Sequence, residues 1–252
     1  MPEIEFHESA SGRHIAYRFQ PGSGPALVFL PGYMSDMDGG KATAIMEWAA
    51  RNGRACLLLD YSGCGRSDGD FADGSLSLWR DETCGLIDAL PISDIVLIGS
   101  SMGGWLMLLI GEMLGHRLGA MIGIAAAPDF SDWGFNAAQK AALAAGQTVY
   151  EDNPYGPEPT PTHAKFWQDA ETLKRLDSVI NITCPVHLLH GQNDTDVPWN
   201  TSLKLAAALR SAAVQVHLVK DGDHRLSRDQ DIALLIWLLE NLHHAPPDRN
   251  NA

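Results

Sequence analysis

The sequence predicts an α/β fold: a mostly parallel central sheet with helices on both faces and a small inserted lid. Three observations predict it. Predominantly apolar runs recur at 25–30, 55–59, 94–98, 118–126 and 185–191, as expected for strands covered on both faces. Segments with helical spacing of apolar residues separate these runs, which is the order of βαβ units. One stretch, from Asp129 to about Leu176, carries no strand pattern for about 45 residues, too long for an ordinary loop in a compact domain. The expected organisation is a core of 1–127 and 177–244, a lid of 128–176, and a disordered tail of 245–252 rich in proline and polar residues.

The elements follow in chain order. Residues 3–8 and 14–20 alternate in polarity around Ser9 to Arg13, a hairpin signal. Pro25 to Leu30 is a buried strand ending at Pro31-Gly32-Tyr33. Between Gly39 and Asn52 the residues Ala42, Ile45, Met46, Trp48 and Ala49 recur at helical spacing, and Gly53 supplies the stop. A second buried strand, 54–60, runs into the turn-rich loop Asp60 to Gly69. A helix from Leu76 to Leu90 is ended by Pro91. The strand 94–98 leads through Gly99-Ser100-Ser101-Met102-Gly103 into a helix, and 118–126 forms the next strand. In the lid, Ala137 to Ala145 reads as helix. Beyond it come a strand at 185–191, a helix from Trp199 to Leu209, a strand from Val214 to Val219 and a closing amphipathic helix from Asp229 to Leu242.

Composition removes several classes of function. With 31 acidic against 18 basic side chains the formal net charge is −13, which disfavours nucleic acid and anionic membrane surfaces as partners. The N-terminus has neither a basic segment nor an apolar core of a signal sequence, and no run is long enough to span a bilayer. A soluble, cytoplasmic protein is therefore expected. Cys56, Cys64, Cys84 and Cys184 are widely spaced, so free thiols are expected rather than a metal site or a disulfide framework.

In a parallel sheet with flanking helices, chemistry collects at the carboxyl ends of the strands. Gly99 to Gly103 lies at such an end and fits a nucleophile elbow: the central Ser101 stands on a strained turn, and glycines two residues to either side allow strand and helix to pack closely. A serine hydroxyl needs an imidazole base, itself oriented by a carboxylate. His224, five residues past the last strand, is the expected base. His190 also sits at a strand end, where it is expected to brace the following turn by hydrogen bonds. His187 and His217 fall within strands as packed residues. Asp194 and Asp196 compete for the acid, and Asp194 is favoured because it stays closer to the anchoring strand. The chain order Ser101, Asp194, His224 agrees with that expected of this elbow. The backbone amides of Met102 and Tyr33 are the expected oxyanion donors, Gly32 letting the first loop fold close to substrate.

Taken together, the elbow, Pro31-Gly32-Tyr33, Asp60 to Ser67, His190 to Pro198 and Gly222 to Ser227 resemble the α/β-hydrolase superfamily, from about Ile15 to Leu242. More closely, Leu30 to Tyr33, Asp60 to Ser67, Ser100 to Trp105 and Asp196 to Trp199 are similar to the mitochondrial abhydrolase group of acyl-protein thioesterases (depalmitoylases) and acyl-glucuronide esterases. Pro31 replaces the histidine many hydrolases carry there, and that group shares the proline. The lack of a transit peptide points to a bacterial-type, cytoplasmic relative. The resemblance implies a serine hydrolase that cleaves small-molecule or acylated-protein esters or thioesters through an acyl-enzyme, with no metal or organic cofactor. Trp133, Phe135 and the alanine-rich segment of the lid are candidates for walling an acyl site. Haloalkane dehalogenases and epoxide hydrolases need a carboxylate nucleophile, which Ser101 is not. The alternatives are a carbon-carbon bond hydrolase acting on ring-cleavage diketones and a non-catalytic ligand-binding protein on a hydrolase scaffold.

Overall fold

Six parallel strands form the centre of the molecule, and in each apolar run successive residues point to opposite faces of the sheet. The structure, a computed structural model, describes residues 1–153 and 156–242. The tail at 245–252, together with His243 and His244, lies outside the described residues. The strands are β1 (Glu5–Glu8), β2 (His14–Gln20), β3 (Ser23–Leu30), β4 (Arg54–Leu59), β5 (Ile95–Ser100), β6 (Leu118–Ile124), β7 (Val149–Glu151), β8 (Thr160–Thr162), β9 (Val186–Gly191) and β10 (Val214–Val219). The helices are α1 (Gly40–Arg51), α2 (Leu76–Ala89), α3 (Met102–Leu114), α4 (Phe130–Trp133), α5 (Ala137–Ala144), α6 (Ala164–Glu171), α7 (Asn200–Ala208) and α8 (Asp229–Glu240).

The main sheet has the order β1-β2-β4-β3-β5-β6-β9-β10. The β1-β2 hairpin is antiparallel, β2 joins β4 antiparallel, and β4 through β10 are parallel. The chain first crosses from β3 to β4 on one side and then to β5 on the other, so the order reverses at β3. A crevice opens between the carboxyl ends of strands at such a reversal, and here those ends carry Gly32 and Ser101.

The two faces of the sheet bury separate cores. Val28, Leu30, Leu57, Leu59 and Leu97 face α2 and α3, where Trp79, Leu86, Trp105 and Leu109 meet them. Leu27, Phe29, Cys56, Leu58, Val96 and Ile98 face α1 and α8, meeting Ile45, Met46, Leu235 and Leu238. Helix α3 is apolar nearly all round because a third layer covers it. The segment between β6 and β9 folds over its outer side, and the Trp105 indole donates to the Leu173 carbonyl at 3.2 Å.

That segment differs from expectation in one respect. It holds two strands, β7 and β8, paired antiparallel as Val149–Thr162, Tyr150–Pro161 and Glu151–Thr160 in a sheet of their own. Each is three residues long, and a proline within β8 removes a donor. An aromatic cluster ties the segment down: Phe130 stacks on Phe166 with centroids 5.6 Å apart, and Phe166 packs on Trp79 of α2 at 5.8 Å.

Candidate active site

At the end of β5 the backbone turns sharply through Ser101, which has φ 55° and ψ −120°. A non-glycine residue there stores on the order of 1–3 kcal/mol of strain, and the surroundings hold it. The Ser101 amide donates to the Ile124 carbonyl at 2.9 Å, while the Ser101 carbonyl accepts from Gly104 at 2.9 Å and Ala127 at 3.0 Å. The glycines explain themselves by contact. A Cβ on Gly99 would lie 2.3 Å from the Gly103 carbonyl oxygen, one on Gly103 would lie 2.1 Å from that of Leu30, and one on Gly104 would meet the Ala126 Cβ at 2.4 Å. Strand β3, strand β5 and helix α3 thus touch backbone to backbone, with Ser101 raised above them.

His224 reaches Ser101 from the loop after β10. Its Nε2 is 3.1 Å from the Ser101 Oγ and its Nδ1 is 2.8 Å from Asp194 Oδ2. An ionised carboxylate only accepts, so Nδ1–H donates to Asp194; Nε2 is then the acceptor, and the Ser101 hydroxyl donates to it. The loops carrying these residues meet at two glycines. A Cβ on Gly191 would fall 2.2 Å from the Gly222 carbonyl oxygen, which itself accepts from the Asn193 amide at 2.8 Å. Lys41, in the first turn of α1, straps the His224 loop from outside by donating to the Arg225 carbonyl and to Ser227 Oγ at 3.2 Å. Burial, and next the neighbouring Arg225 charge, bring its amine down from 10.5 to about 8.

Asp194 has no solvent-accessible side chain. Burial alone would raise its pKa. Hydrogen bonds from His190 and His224, the charge of His224 and the Val197 amide outweigh that, so the carboxyl is held well below the usual carboxylate range. Oδ1 accepts from the amides of Asp196 at 2.9 Å and Val197 at 2.8 Å, leaving Oδ2 for the two histidines. Asp196 is exposed and forms the turn. Of the two candidate acids, only Asp194 is hydrogen-bonded to His224. His190 is fully buried and braces the turn, with its Nε2 3.1 Å from Val197 O, and it also lies 3.1 Å from Asp194 Oδ2. His187 and His217 stack on one another within β9 and β10, with ring centroids 5.5 Å apart.

The two amides expected at the oxyanion site flank Ser101. Met102 opens α3, and the first amides of a helix have no partner within it. Gly32 is so close that a Cβ on it would stand 3.3 Å from the Ser101 Cβ. Among the described residues, neither the Tyr33 nor the Met102 amide donates to a protein acceptor. The Tyr33 side chain anchors its own backbone. Its hydroxyl donates to Pro161 O at 3.0 Å, and its ring lies edge-on to Phe71 and Phe166, each at 5.0 Å. Burial pushes this phenol well above its ordinary value. From below, the buried Asp60 carboxylate joins two loops by accepting from the amides of Met37 at 2.7 Å and Arg66 at 2.8 Å. Burial raises the Asp60 pKa despite these bonds.

Above Ser101 lies a cleft of about 770 Å³. Phe130, Trp133 and Phe135 line it, together with Glu151, Asp152, Lys41 and Arg225. The alanine-rich helix α5 does not reach it; the wall on that side comes from residues around β7 and β8, a contribution that six residues of strand in a proline-rich stretch gave no pattern to reveal. Lys41 and Asp60 likewise carried no sequence signal for their roles as struts.

Among the described residues, no three His, Cys, Asp or Glu side chains are grouped to hold a metal ion, and no helix is long and apolar enough to cross a membrane. The four cysteines are unpaired, with Cys56, Cys64 and Cys184 buried. Burial pushes the Cys56 thiol up to about 12. A hydroxyl held against an imidazole, an imidazole held against a buried carboxylate, and two amides without acceptors can together move a proton and stabilise an oxyanion.

The profile of the family described as "Alpha/beta hydrolase family" matches residues 27–235. The human protein "Palmitoyl-protein thioesterase ABHD10, mitochondrial" is 36% identical over 238 residues, covering 91% of this chain and 76% of its own. The Mus musculus protein of that name is 38% identical over 237 residues, covering 91% and 78%. Among solved structures, mouse alpha/beta hydrolase domain-containing protein 10 superimposes with a TM-score of 0.88 at 34% identity, covering 95% of this chain and 98% of its own.

Proposed function

The chain belongs to the alpha/beta hydrolase family, and from that premise we propose that it is a serine hydrolase cleaving acyl thioesters and oxygen esters, acylated proteins among them. The observation that carries this reading is the unbroken chain Asp194–His224–Ser101, with links of 2.8 and 3.1 Å, opening into a cleft. The similarity to proteins named palmitoyl-protein thioesterase gives the bond type.

In the first half-reaction the Ser101 Oγ attacks the substrate carbonyl carbon while its proton passes to His224 Nε2. The carbonyl oxygen becomes an oxyanion facing the Tyr33 and Met102 amides. Asp194 holds His224 in the tautomer that can accept the proton and balances the imidazolium that results. The tetrahedral species collapses, the bond to sulfur or oxygen breaks, and His224 returns the proton to the leaving thiolate or alkoxide. Water then attacks the acyl-enzyme with its proton taken by His224, and collapse releases the carboxylic acid and restores the Ser101 hydroxyl. Each step uses side chains and amides of this chain.

The segment 128–176 acts as a lid in this reading. Phe130, Trp133 and Phe135 receive the acyl group, and the charged and polar part of the cleft receives the leaving group. A cytoplasmic location is the proposal here, whereas the relatives' names say mitochondrial; fractionation of the source cells decides between them. The test of function is a hydrolysis panel of acyl-CoA thioesters and nitrophenyl esters of graded chain length, with Ser101→Ala as control. The substitution is expected to lower kcat/KM by at least ~10³-fold. An unchanged rate in the variant overturns the mechanism. Rapid turnover of short esters beside untouched long-chain thioesters overturns only the acylated-protein substrate.

A further inference from the structure

The acid of the proposed triad is held by a second histidine that never meets substrate. His190 is the penultimate residue of β9, its side chain has no accessible surface, and it is not among the residues lining the cleft. Its Nε2 lies 3.1 Å from Asp194 Oδ2 and 3.1 Å from the Val197 carbonyl oxygen, while its Nδ1 lies 2.7 Å from Ser202 Oγ on α7. Both neighbours of Nε2 are pure acceptors, so that nitrogen carries the hydrogen, and Nδ1 accepts from the Ser202 hydroxyl. Ser202 is itself buried. Asp194 Oδ2 therefore stands between two imidazole donors, one on each side.

We propose that His190 is a positioning residue for catalysis: by donating to Asp194 Oδ2 under the direction of Ser202, it fixes the carboxylate toward His224 and limits how strongly that carboxylate holds the His224 proton. The proposal rests on the triad reading given above. The titratable groups facing Asp194 are His190 from β9 and His224 from the loop after β10; the other groups on it are the Asp196 and Val197 amides of its own loop. The amides anchor only Oδ1. Without His190, Oδ2 retains His224 as its one hydrogen-bond donor in a site closed to water, and its undivided charge grips the imidazolium more tightly. Proton return to the leaving group then becomes harder. A hydrogen bond to a buried charge governs roughly a 10–100-fold change in an equilibrium, and a similar range is expected in rate. Substrate binding is expected to change little, because His190 touches nothing in the cleft.

The experiment compares wild type with His190→Gln, His190→Ala and Ser202→Ala on a nitrophenyl ester, recording kcat, KM and the pH profile of kcat/KM. Gln places an amide N–H where Nε2 donates; Ala removes the donor; Ser202→Ala keeps the imidazole and frees its tautomer, which keeps the test decisive should His190→Ala fail to fold. The expected results are a kcat lower by roughly 10–100-fold in His190→Ala with KM within about 3-fold, substantial recovery in Gln, and a smaller loss in Ser202→Ala. The acid limb of kcat/KM, which reports the coupled Asp194–His224 pair, is expected to move to higher pH in the Ala variants and to return in Gln. Ser101→Ala is run alongside. If it abolishes turnover while folded His190→Ala, or Ser202→Ala where His190→Ala does not fold, matches wild type in kcat and pH profile, the positioning role is wrong and the triad stands. If Ser101→Ala turns over like wild type, the triad reading itself has failed.

Discussion

Replacing Asp194 by Asn changes one atom of the acid and preserves its shape, which makes it the sharpest probe of how the three residues cooperate. Asp194 Oδ1 accepts two amides, from Asp196 at 2.9 Å and Val197 at 2.8 Å. Asn keeps both bonds only by pointing its carbonyl oxygen at them, and this turns its NH₂ toward the Nδ1 of His224 and the Nε2 of His190. Neither imidazole can then donate as before. His224 is driven to accept at Nδ1 and to carry its hydrogen on Nε2, which faces the Ser101 hydroxyl 3.1 Å away. The base is blocked in the tautomer that cannot take the proton. Loss of an orienting carboxylate in this way costs about 10⁴-fold in kcat, or about 5.5 kcal/mol at 1.36 kcal/mol per decade. Asp196→Asn, in the exposed turn, is expected to stay within about 3-fold of wild type. The assay is steady-state hydrolysis of a nitrophenyl ester by both variants, with circular dichroism to show that each is folded. A folded Asp194→Asn enzyme losing less than 10-fold, or an Asp196→Asn enzyme losing as much as Asp194→Asn, refutes the reasoning.

Two further outcomes are expected. Gly103→Ala would set a Cβ 2.1 Å from the Leu30 carbonyl oxygen, forcing α3 away from β3; thermal unfolding should show a loss of about 1–3 kcal/mol, and activity should fall even where the protein is folded, because Ser101 and the Tyr33 loop move apart. For Lys41, the folded amine titrates at about 8 against 10.5 unfolded, so between those values the unfolded chain binds more protons and stability gains from rising pH. Lys41→Gln removes that increment. Urea midpoints at pH 7.5 and pH 10 should show wild type gaining on the variant by at most about 3 kcal/mol, and a constant difference between them would contradict it.

Much of the site was legible in the sequence because backbone contact leaves marks that side-chain packing does not. Gly99, Gly103 and Gly104 are each required by an approach under 3 Å, so the elbow announced itself. Gly191 and Gly222 meet the same condition in the loops around it, and Gly32, where a Cβ would stand 3.3 Å from the Ser101 Cβ, comes near it. Asp194 was preferred to Asp196 for its nearness to the strand; in the structure the Asp196 and Val197 amides close a tight turn on its Oδ1 and leave Oδ2 to face His224. The buried strands were legible because both faces are covered, which suppresses alternation. What stayed hidden depends on packing at a distance. β7 and β8 are too short to show a period and lie in a proline-rich stretch. The struts Lys41 and Asp60 look like ordinary charged residues until the loops they join are brought together. His190 was legible as a brace, but its contact with Asp194 depends on a carboxylate turning back toward the strand that precedes it.

The central claim is that Ser101 is the nucleophile of a working hydrolase. Its most direct measurement is reaction of the folded protein with a fluorophosphonate, followed by intact mass and peptide mapping. One adduct per chain on Ser101, lost in Ser101→Ala and strongly slowed in Asp194→Asn, is the predicted result; folded protein that hydrolyses esters yet takes no label at Ser101 would contradict it.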